Sequence, residues 1–198
     1  CDPSHVFFTS GATEANNLVL MGVAGNRSSR RQIICSAIEH RSVLAPCEFL
    51  ANHGFRFSTI PVTMDGLLDV DAALSLITED TLLVSVQGAN NEVGTIQPID
   101  QVCEIAHARG ALVHCDAAQL LGKVPVSVRQ LGADYVSFSG HKVHGPKGVG
   151  ALVFSSAMRS HTLTPLLYGG DQENGVRPGT PNVPAIVGMG AACELARG

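Results

Sequence analysis

The 198-residue sequence predicts an α/β fold in which a mostly parallel central sheet is flanked by helices. Short apolar runs rich in β-branched residues alternate along the chain with longer amphipathic stretches, which is typical of parallel strands joined by helical crossovers. Hydrophobic residues make up 45% of the chain and charged residues 15%, so the composition favours a packed globular domain over a disordered segment.

Each predicted strand is a short apolar run, and each predicted helix is a longer stretch in which apolar residues recur at helical spacing. In chain order, the strands are expected at Val6–Thr9, Gln32–Ser36, Arg56–Pro61, Leu82–Val86, Leu112–Cys115, Tyr135–Ser139 and Gly150–Phe154. The helices are expected at Glu14–Ala24, Ser42–Asn52, Val70–Ile77, Ile99–Arg109, Val126–Leu131 and Ala185–Arg197. Two Gly- and Pro-rich stretches, 145–150 and 168–184, predict ordered loops beside a site.

Charge and hydropathy exclude several classes of partner. The formal net charge is −4 and the longest basic block is Arg30-Arg31, which argues against nucleic acid or an acidic membrane surface. No apolar run is long enough to span a bilayer and no signal segment opens the chain, so we expect a cytoplasmic protein, or one of an organellar matrix if the source is eukaryotic. Six cysteines without a C-x-x-C pair favour buried, reduced thiols.

Both ends predict a fragment. Cys1 stands where an initiator Met would be, close to the first strand, and the far end stops inside an apparent helix, with no obvious terminator beyond Gly198. We therefore expect residues 1–198 to form one domain that is truncated at both ends.

Chemically unusual residues follow the predicted strands. In open α/β sheets the ligand usually lies beyond the carboxyl ends of the strands. The residues at those positions are Ser10-Gly11-Ala12-Thr13, Glu39-His40, Asn90-Asn91-Glu92, Asp116-Ala117-Ala118-Gln119 and Ser139-Gly140-His141-Lys142. The sequence therefore predicts a ligand site at this edge of the sheet.

The first of these turns suits a phosphate. Its small residues let backbone N–H groups approach an anion, the following helix points its positive end at it, and Thr13 adds a hydroxyl donor. An ordinary helix start with a Ser or Thr cap explains the same residues equally well.

Asp116 is the candidate partner of a cationic ring. A carboxylate at a strand end can pair with a protonated ring nitrogen, as it does in pyridoxal 5'-phosphate (PLP) enzymes. A metal site at His114-Cys115-Asp116 is disfavoured because adjacent strand residues point to opposite faces.

Lys142 is the candidate nucleophile. It follows a buried strand directly, and desolvation with a nearby cation would make its amine reactive toward an aldehyde. Lys147 is either a loop charge or a second phosphate ligand, and Lys123 has the pattern of a surface residue.

His40 could stack on an aromatic cofactor and transfer protons, although a satisfied core or cap histidine is the commoner role of a lone His. Arg177 lies in a tight Arg-Pro-Gly-Thr loop suited to anion recognition or a subunit contact.

These segments together resemble one protein family. The motifs are TSGATEANN (9–17), EH (39–40), ANNEVGTIQPI (89–99), HCDAAQLLGK (114–123), SFSGHKVHGPKGVGAL (137–152) and GGDQENGVRPGT (169–180). They resemble the class V aminotransferase group of fold-type I PLP enzymes, and within it the NifS/IscS-type cysteine desulfurases and the related selenocysteine lyases. The resemblance covers essentially the whole chain and implies the large, PLP-binding domain of such an enzyme, with the C-terminal small domain absent.

The resemblance also implies roles for individual residues. Ala12, Thr13, Ser139 and His141 would bind the cofactor phosphate. His40 would stack on the pyridine ring and relay protons, Asp116 would face the ring nitrogen, and Asn91 and Gln119 would face the ring hydroxyl. Lys142 would hold the cofactor covalently. Thr180 would reach the phosphate of the other subunit's cofactor, which implies a homodimer.

The implied reaction removes sulfur from L-cysteine and leaves L-alanine, with the sulfur passing to an enzyme cysteine as a persulfide and then to an acceptor or scaffold protein for iron–sulfur clusters or thiolation. A selenocysteine lyase would act on L-selenocysteine instead. None of the six cysteines matches the catalytic one of the family, which would lie beyond Gly198 with the substrate-binding arginine. The chain alone is therefore expected to be inactive, and two alternatives stay open: another class V lyase, or a non-catalytic remnant of the fold.

Overall fold

The computed structural model describes residues 2–26, 28–155 and 163–197. Within these residues seven strands form one sheet. They are β1 (Val6–Thr9), β2 (Gln32–Ser36), β3 (Arg56–Ile60), β4 (Thr81–Gln87), β5 (Leu112–Asp116), β6 (Tyr135–Ser139) and β7 (Gly150–Phe154). Their order is β1-β7-β6-β5-β4-β2-β3. Strand β7 runs antiparallel to both of its neighbours, whereas the other pairs are parallel, so the mostly parallel sheet is confirmed.

Helices connect the strands, as the alternation predicts. They are α1 (Ala12–Ala24), α2 (Arg41–Ala51), α3 (Val70–Leu76), α4 (Ile99–Ala108), α5 (Val128–Leu131) and α6 (Val183–Leu195). The observed helices differ from the expected ones in the residues at which they begin and end. Helix α5 begins at Val128 rather than Val126 because the Ser127 side chain accepts from the Gln130 N–H and caps it there. Helix α6 begins earlier than expected because Asn182 supplies the same kind of cap to Ala185.

The sheet is buried on both faces. Strands β2, β4, β6 and β7 are buried along their whole length, as expected for largely apolar strands covered by helices on either side. Successive strand residues point to opposite faces. Ile33 accordingly packs with Leu18 of α1 and Val43 of α2, while Ile34 packs in the cluster that contains Val102 of α4.

The parallel strands bring their carboxyl ends to one edge. Gln87 at the end of β4 is in register with Asp116 at the end of β5, and Ser137 near the end of β6 is the next partner of Asp116. This edge positions the site.

The cysteine expectation is confirmed for Cys35, Cys47, Cys103 and Cys115, which are buried free thiols, and Cys193 is half-buried. Cys1 lies outside the described residues. Across residues 2–26, 28–155 and 163–197, no helix is long and apolar enough to span a bilayer.

Candidate functional site

A cavity of about 460 Å³ opens at the carboxyl ends of the parallel strands. That volume lies in the range of sites for small cofactors and drug-sized ligands. The predicted site residues in its lining are Ala12, Thr13, His40, Asn91, Asp116, Gln119, Ser139, His141 and Lys142. Thr180 is not among them and lines a smaller neighbouring cavity together with Ser10 and Gly148.

The start of helix α1 forms an anion cradle in this cavity. No side chain caps the helix, so the N–H groups of its first turn are open to an anion. The turn before the helix packs closely against strand β7. A Cβ on Gly150 would lie only 2.6 Å from the Gly11 backbone, so this close approach requires glycine at position 150. A Ser or Thr side chain therefore does not cap this helix, in contrast to the alternative explanation of the turn. Lys142 and Lys147 also line the cavity and add positive charge to it.

Asp116 is a buried carboxylate at the floor of the cavity, with only 6% of the residue exposed. Its Oδ1 accepts from the Ala118 N–H at 3.0 Å, and its Oδ2 accepts from Asn16 Nδ2 at 2.7 Å. Burial raises the pKa of Asp116, although these hydrogen bonds partly oppose the rise. A carboxylate buried in this way is stabilised by a cationic partner, and a protonated ring nitrogen in the cavity fits that need.

His40 caps a helix and also lines the cavity. Its Nδ1 accepts from the Ser42 N–H at 3.1 Å and thereby caps helix α2. The residue as a whole is exposed, and it lines the cavity. A single histidine therefore both begins the helix and faces the ligand space.

Glu39, beside His40, is a buried acid that received no role from the sequence. Its Oε1 accepts from Ser36 Oγ at 2.5 Å and from the Gln87 N–H at 2.7 Å, which ties the end of β2 to the end of β4. Burial raises the pKa of Glu39 to about 8, and the nearby negative charge of Asp116 adds to the rise.

The raised pKa of Glu39 predicts a pH-dependent stability. The folded protein keeps this proton up to about pH 8, whereas the unfolded chain releases it near its usual pKa of 4.5. The free energy of unfolding should therefore fall as pH rises through that interval, by on the order of 2–4 kcal/mol. Glu39→Gln, which mimics the protonated form, should remove most of this slope in denaturant titrations at pH 5 and pH 8.

The exposed Glu48 of α2 provides the control for this measurement, since it pairs with Arg41 at the surface. Glu48→Gln should keep the wild-type slope. If the free energy of unfolding depended on pH equally in the wild type and in Glu39→Gln, the pH dependence could not be assigned to Glu39.

The structure corrects the expectation for Lys142 and shows which anion Arg177 binds. Lys142, on the turn Gly140–Val143 after β6, is exposed to the cavity, so the desolvation expected around it was wrong. Arg177 binds an internal anion, because its Nε donates to Glu14 Oε1 at 2.7 Å and its Nη2 to Glu14 Oε2 at 3.3 Å. Glu14 also accepts from the Ser10 N–H, which ties the loop that carries Arg177 to the anion cradle.

The sequence left Asn16, Ser42 and Gln87 without a role. Gln87 ends β4 and lines the cavity, and the strand-end rule could have found it had the strand been extended by one residue. Asn16 and Ser42 lie on helices, where no strand-end signal exists. Among the described residues no cluster of His, Cys, Asp and Glu is arranged to hold a metal ion.

Comparison with known proteins gives consistent matches. The model of the family "Aminotransferase class-V" matches residues 2–197. The cysteine desulfurase IscS of Dictyoglomus turgidum is 46% identical over 192 residues, which are 96% of this chain and 48% of that protein. The mitochondrial cysteine desulfurase of Drosophila melanogaster is 45% identical over 195 residues, which are 98% of this chain and 42% of that protein.

Solved structures of NifS-like and related proteins superpose closely on this chain. A NifS-like protein superposes with a TM-score of 0.94 at 45% identity, covering 99% of this chain and 54% of that one. SspA in complex with cysteine superposes with a TM-score of 0.93 at 41% identity, covering 98% and 56%. The chain spans about half the length of the curated relatives it matches. Because the family model extends over nearly the whole sequence, the chain belongs to the aminotransferase class-V family, and its resemblance to NifS/IscS-type cysteine desulfurases is confirmed.

Proposed function

We propose that this chain is the cofactor-binding part of a PLP-dependent cysteine desulfurase that converts L-cysteine to L-alanine and passes the sulfur to a thiol. The observation that carries the proposal is the buried carboxylate of Asp116, which opens on the same cavity as His40 and Lys142. The relatives named cysteine desulfurase and the relative solved with cysteine support the choice of substrate.

The lining residues fit PLP group by group. The uncapped start of α1, with Ala12 and Thr13, would hold the phosphate together with Ser139 and His141. Asp116 would face the ring nitrogen, and His40 would stack on the ring. Asn91 and Gln119 would face the ring hydroxyl. When bound, the cofactor supplies an electron sink for the substrate carbon.

The chain's own groups would then position the cofactor and move protons. The carboxylate of Asp116 would keep the ring nitrogen protonated, because a buried negative charge favours a neighbouring cation. Lys142 would hold the cofactor through Nζ until the substrate amine takes its place, and the released amine would carry a proton. His40 would present the ring nitrogen that its helix cap does not use.

The described cysteines are unsuited to accept the sulfur. None of them lines the cavity, and burial raises the pKa of Cys103 to about 12 and raises that of Cys115 as well. A raised pKa disfavours the thiolate, which is the nucleophilic form. The accepting thiol is therefore proposed to lie outside the described residues. Thr180, which faces the neighbouring cavity, is proposed to serve a second subunit of a homodimer.

The test is to load the full-length protein that contains this chain with PLP and to measure alanine and protein-bound sulfur formed from L-cysteine, with L-selenocysteine in parallel. Alanine and persulfide from L-cysteine are expected. Faster turnover of L-selenocysteine would assign the chain to a selenocysteine lyase. No alanine from either substrate would overturn the proposed function.

A further inference from the structure

A chain of side-chain hydrogen bonds connects His40 to Asp116. His40 Nδ1 lies 2.8 Å from Ser42 Oγ, and Asn16 Nδ2 lies 2.9 Å from Ser42 Oγ and 2.7 Å from Asp116 Oδ2. Asn16 is fully buried and Ser42 is 7% exposed. The chain runs from the start of α2 through α1 to the end of β5, so it links two residues that line the cavity from different elements.

The direction of each hydrogen bond follows from the donors present. An ionised Asp116 can only accept, so the Asn16 amide must point its NH₂ group at the carboxylate. Its second N–H points at Ser42 Oγ, which accepts it and is left to donate its own hydrogen to His40 Nδ1. The Ser42 backbone N–H also donates to Nδ1, at 3.1 Å. Because Nδ1 accepts from both groups, the ring proton of neutral His40 lies on Nε2.

The orientation of Asn16 has a cost. Its Oδ1 is buried without a hydrogen-bond partner among the described residues. An unsatisfied buried acceptor is unfavourable. The flipped amide would place this oxygen against the Asp116 carboxylate, so the arrangement is explained by the two acceptors that the NH₂ group serves.

We infer that Asn16 and Ser42 are positioning residues which transmit the charge of Asp116 to His40 and fix the Nε2–H tautomer of its ring. His40 therefore presents an N–H donor to a ligand in the cavity, and Asp116 is held by the same amide. The meaning of this relay for PLP rests on the proposed function, but the relay belongs to the protein's own side chains and can be measured without cofactor.

The test is ¹⁵N NMR of histidine side chains in the intact, cofactor-free protein at a pH where His40 is neutral. The wild type should show predominantly the Nε2–H tautomer. Ser42→Ala removes one of the two donors to Nδ1 and should lower the tautomer ratio by about fivefold, the effect of one hydrogen bond. Ser42→Thr, which keeps the hydroxyl, should restore the ratio. Asn16→Ala should lower it as well, because the Ser42 hydroxyl can then accept as easily as donate.

His114 supplies a control, because it lies in a separate buried cluster in which its Nδ1 is 2.8 Å from Ser85 Oγ and its Nε2 is 2.9 Å from Ser137 Oγ. Ser85→Ala should alter the His114 signals and leave those of His40 unchanged. A His40 ratio unaffected by both Ser42→Ala and Asn16→Ala in folded protein would overturn the inference. If Asn16→Ala does not fold, the Ala and Thr variants of Ser42 decide it. An intact relay in a protein that makes no alanine from cysteine would refute the proposed function and leave the relay standing.

Discussion

Replacing Lys142 with alanine is expected to end covalent retention of PLP and to lower turnover of L-cysteine by about 10²–10⁴-fold, the range for loss of a positioned acid–base group. The reason is that Lys142 is proposed both to hold the cofactor and to carry the proton released during the reaction. Lys142 lies on the turn directly after β6 and lines the cavity. Retention can be measured from the visible absorbance that survives dialysis, and turnover from alanine formation.

Lys147→Ala is the control for this prediction, because Lys147 lines the same cavity from the following loop. It should keep the cofactor through dialysis. Loss of retention in Lys147→Ala with retention in Lys142→Ala would reverse the assignment of the two lysines.

Asp116→Asn is expected to leave PLP bound while turnover falls by about 10²–10³-fold, the usual effect of removing one electrostatic contact at a reacting group. An amide carries no charge and cannot hold the ring nitrogen protonated. The variant should therefore show an altered cofactor spectrum, and its loss of activity should lie in kcat rather than KM.

Asp134 offers a matched substitution away from the cavity. It is buried just before β6, where it accepts from the Val113 N–H at 2.8 Å and pairs with His107 at 2.9 Å. Asp134→Asn should lower stability but leave kcat per folded molecule unchanged. Equal losses of kcat in the two variants would indicate a structural role for Asp116 instead of an electronic one.

Most of the sheet was predictable because largely apolar runs such as 82–86 and 135–139 are typical of strands buried on both faces of a parallel sheet. The antiparallel direction of β7 was not foreseen. The segment 140–149 between β6 and β7 is too short for the crossover that a parallel neighbour needs, which is the signal that could have revealed it.

Site residues at the ends of strands could be predicted from the sequence. Contacts between segments that are distant in the chain could not, because they depend on how those segments pack. Asp116 and Ser139 follow directly from the rule for carboxyl ends of parallel strands. Glu14 and Arg177 are far apart in the chain, and their ion pair exists only because the loop of Arg177 folds back over α1. The exposure of Lys142 likewise depends on how the turn after β6 is placed, which no local pattern encodes.

Whether the cavity holds PLP through Lys142 is tested by borohydride reduction of the intact, PLP-loaded protein followed by peptide mapping. We expect the reduced cofactor on Lys142, and a loss of that label in Lys142→Ala. A label on Lys147 or Lys123 instead, or no label in a protein that has bound PLP, would contradict it.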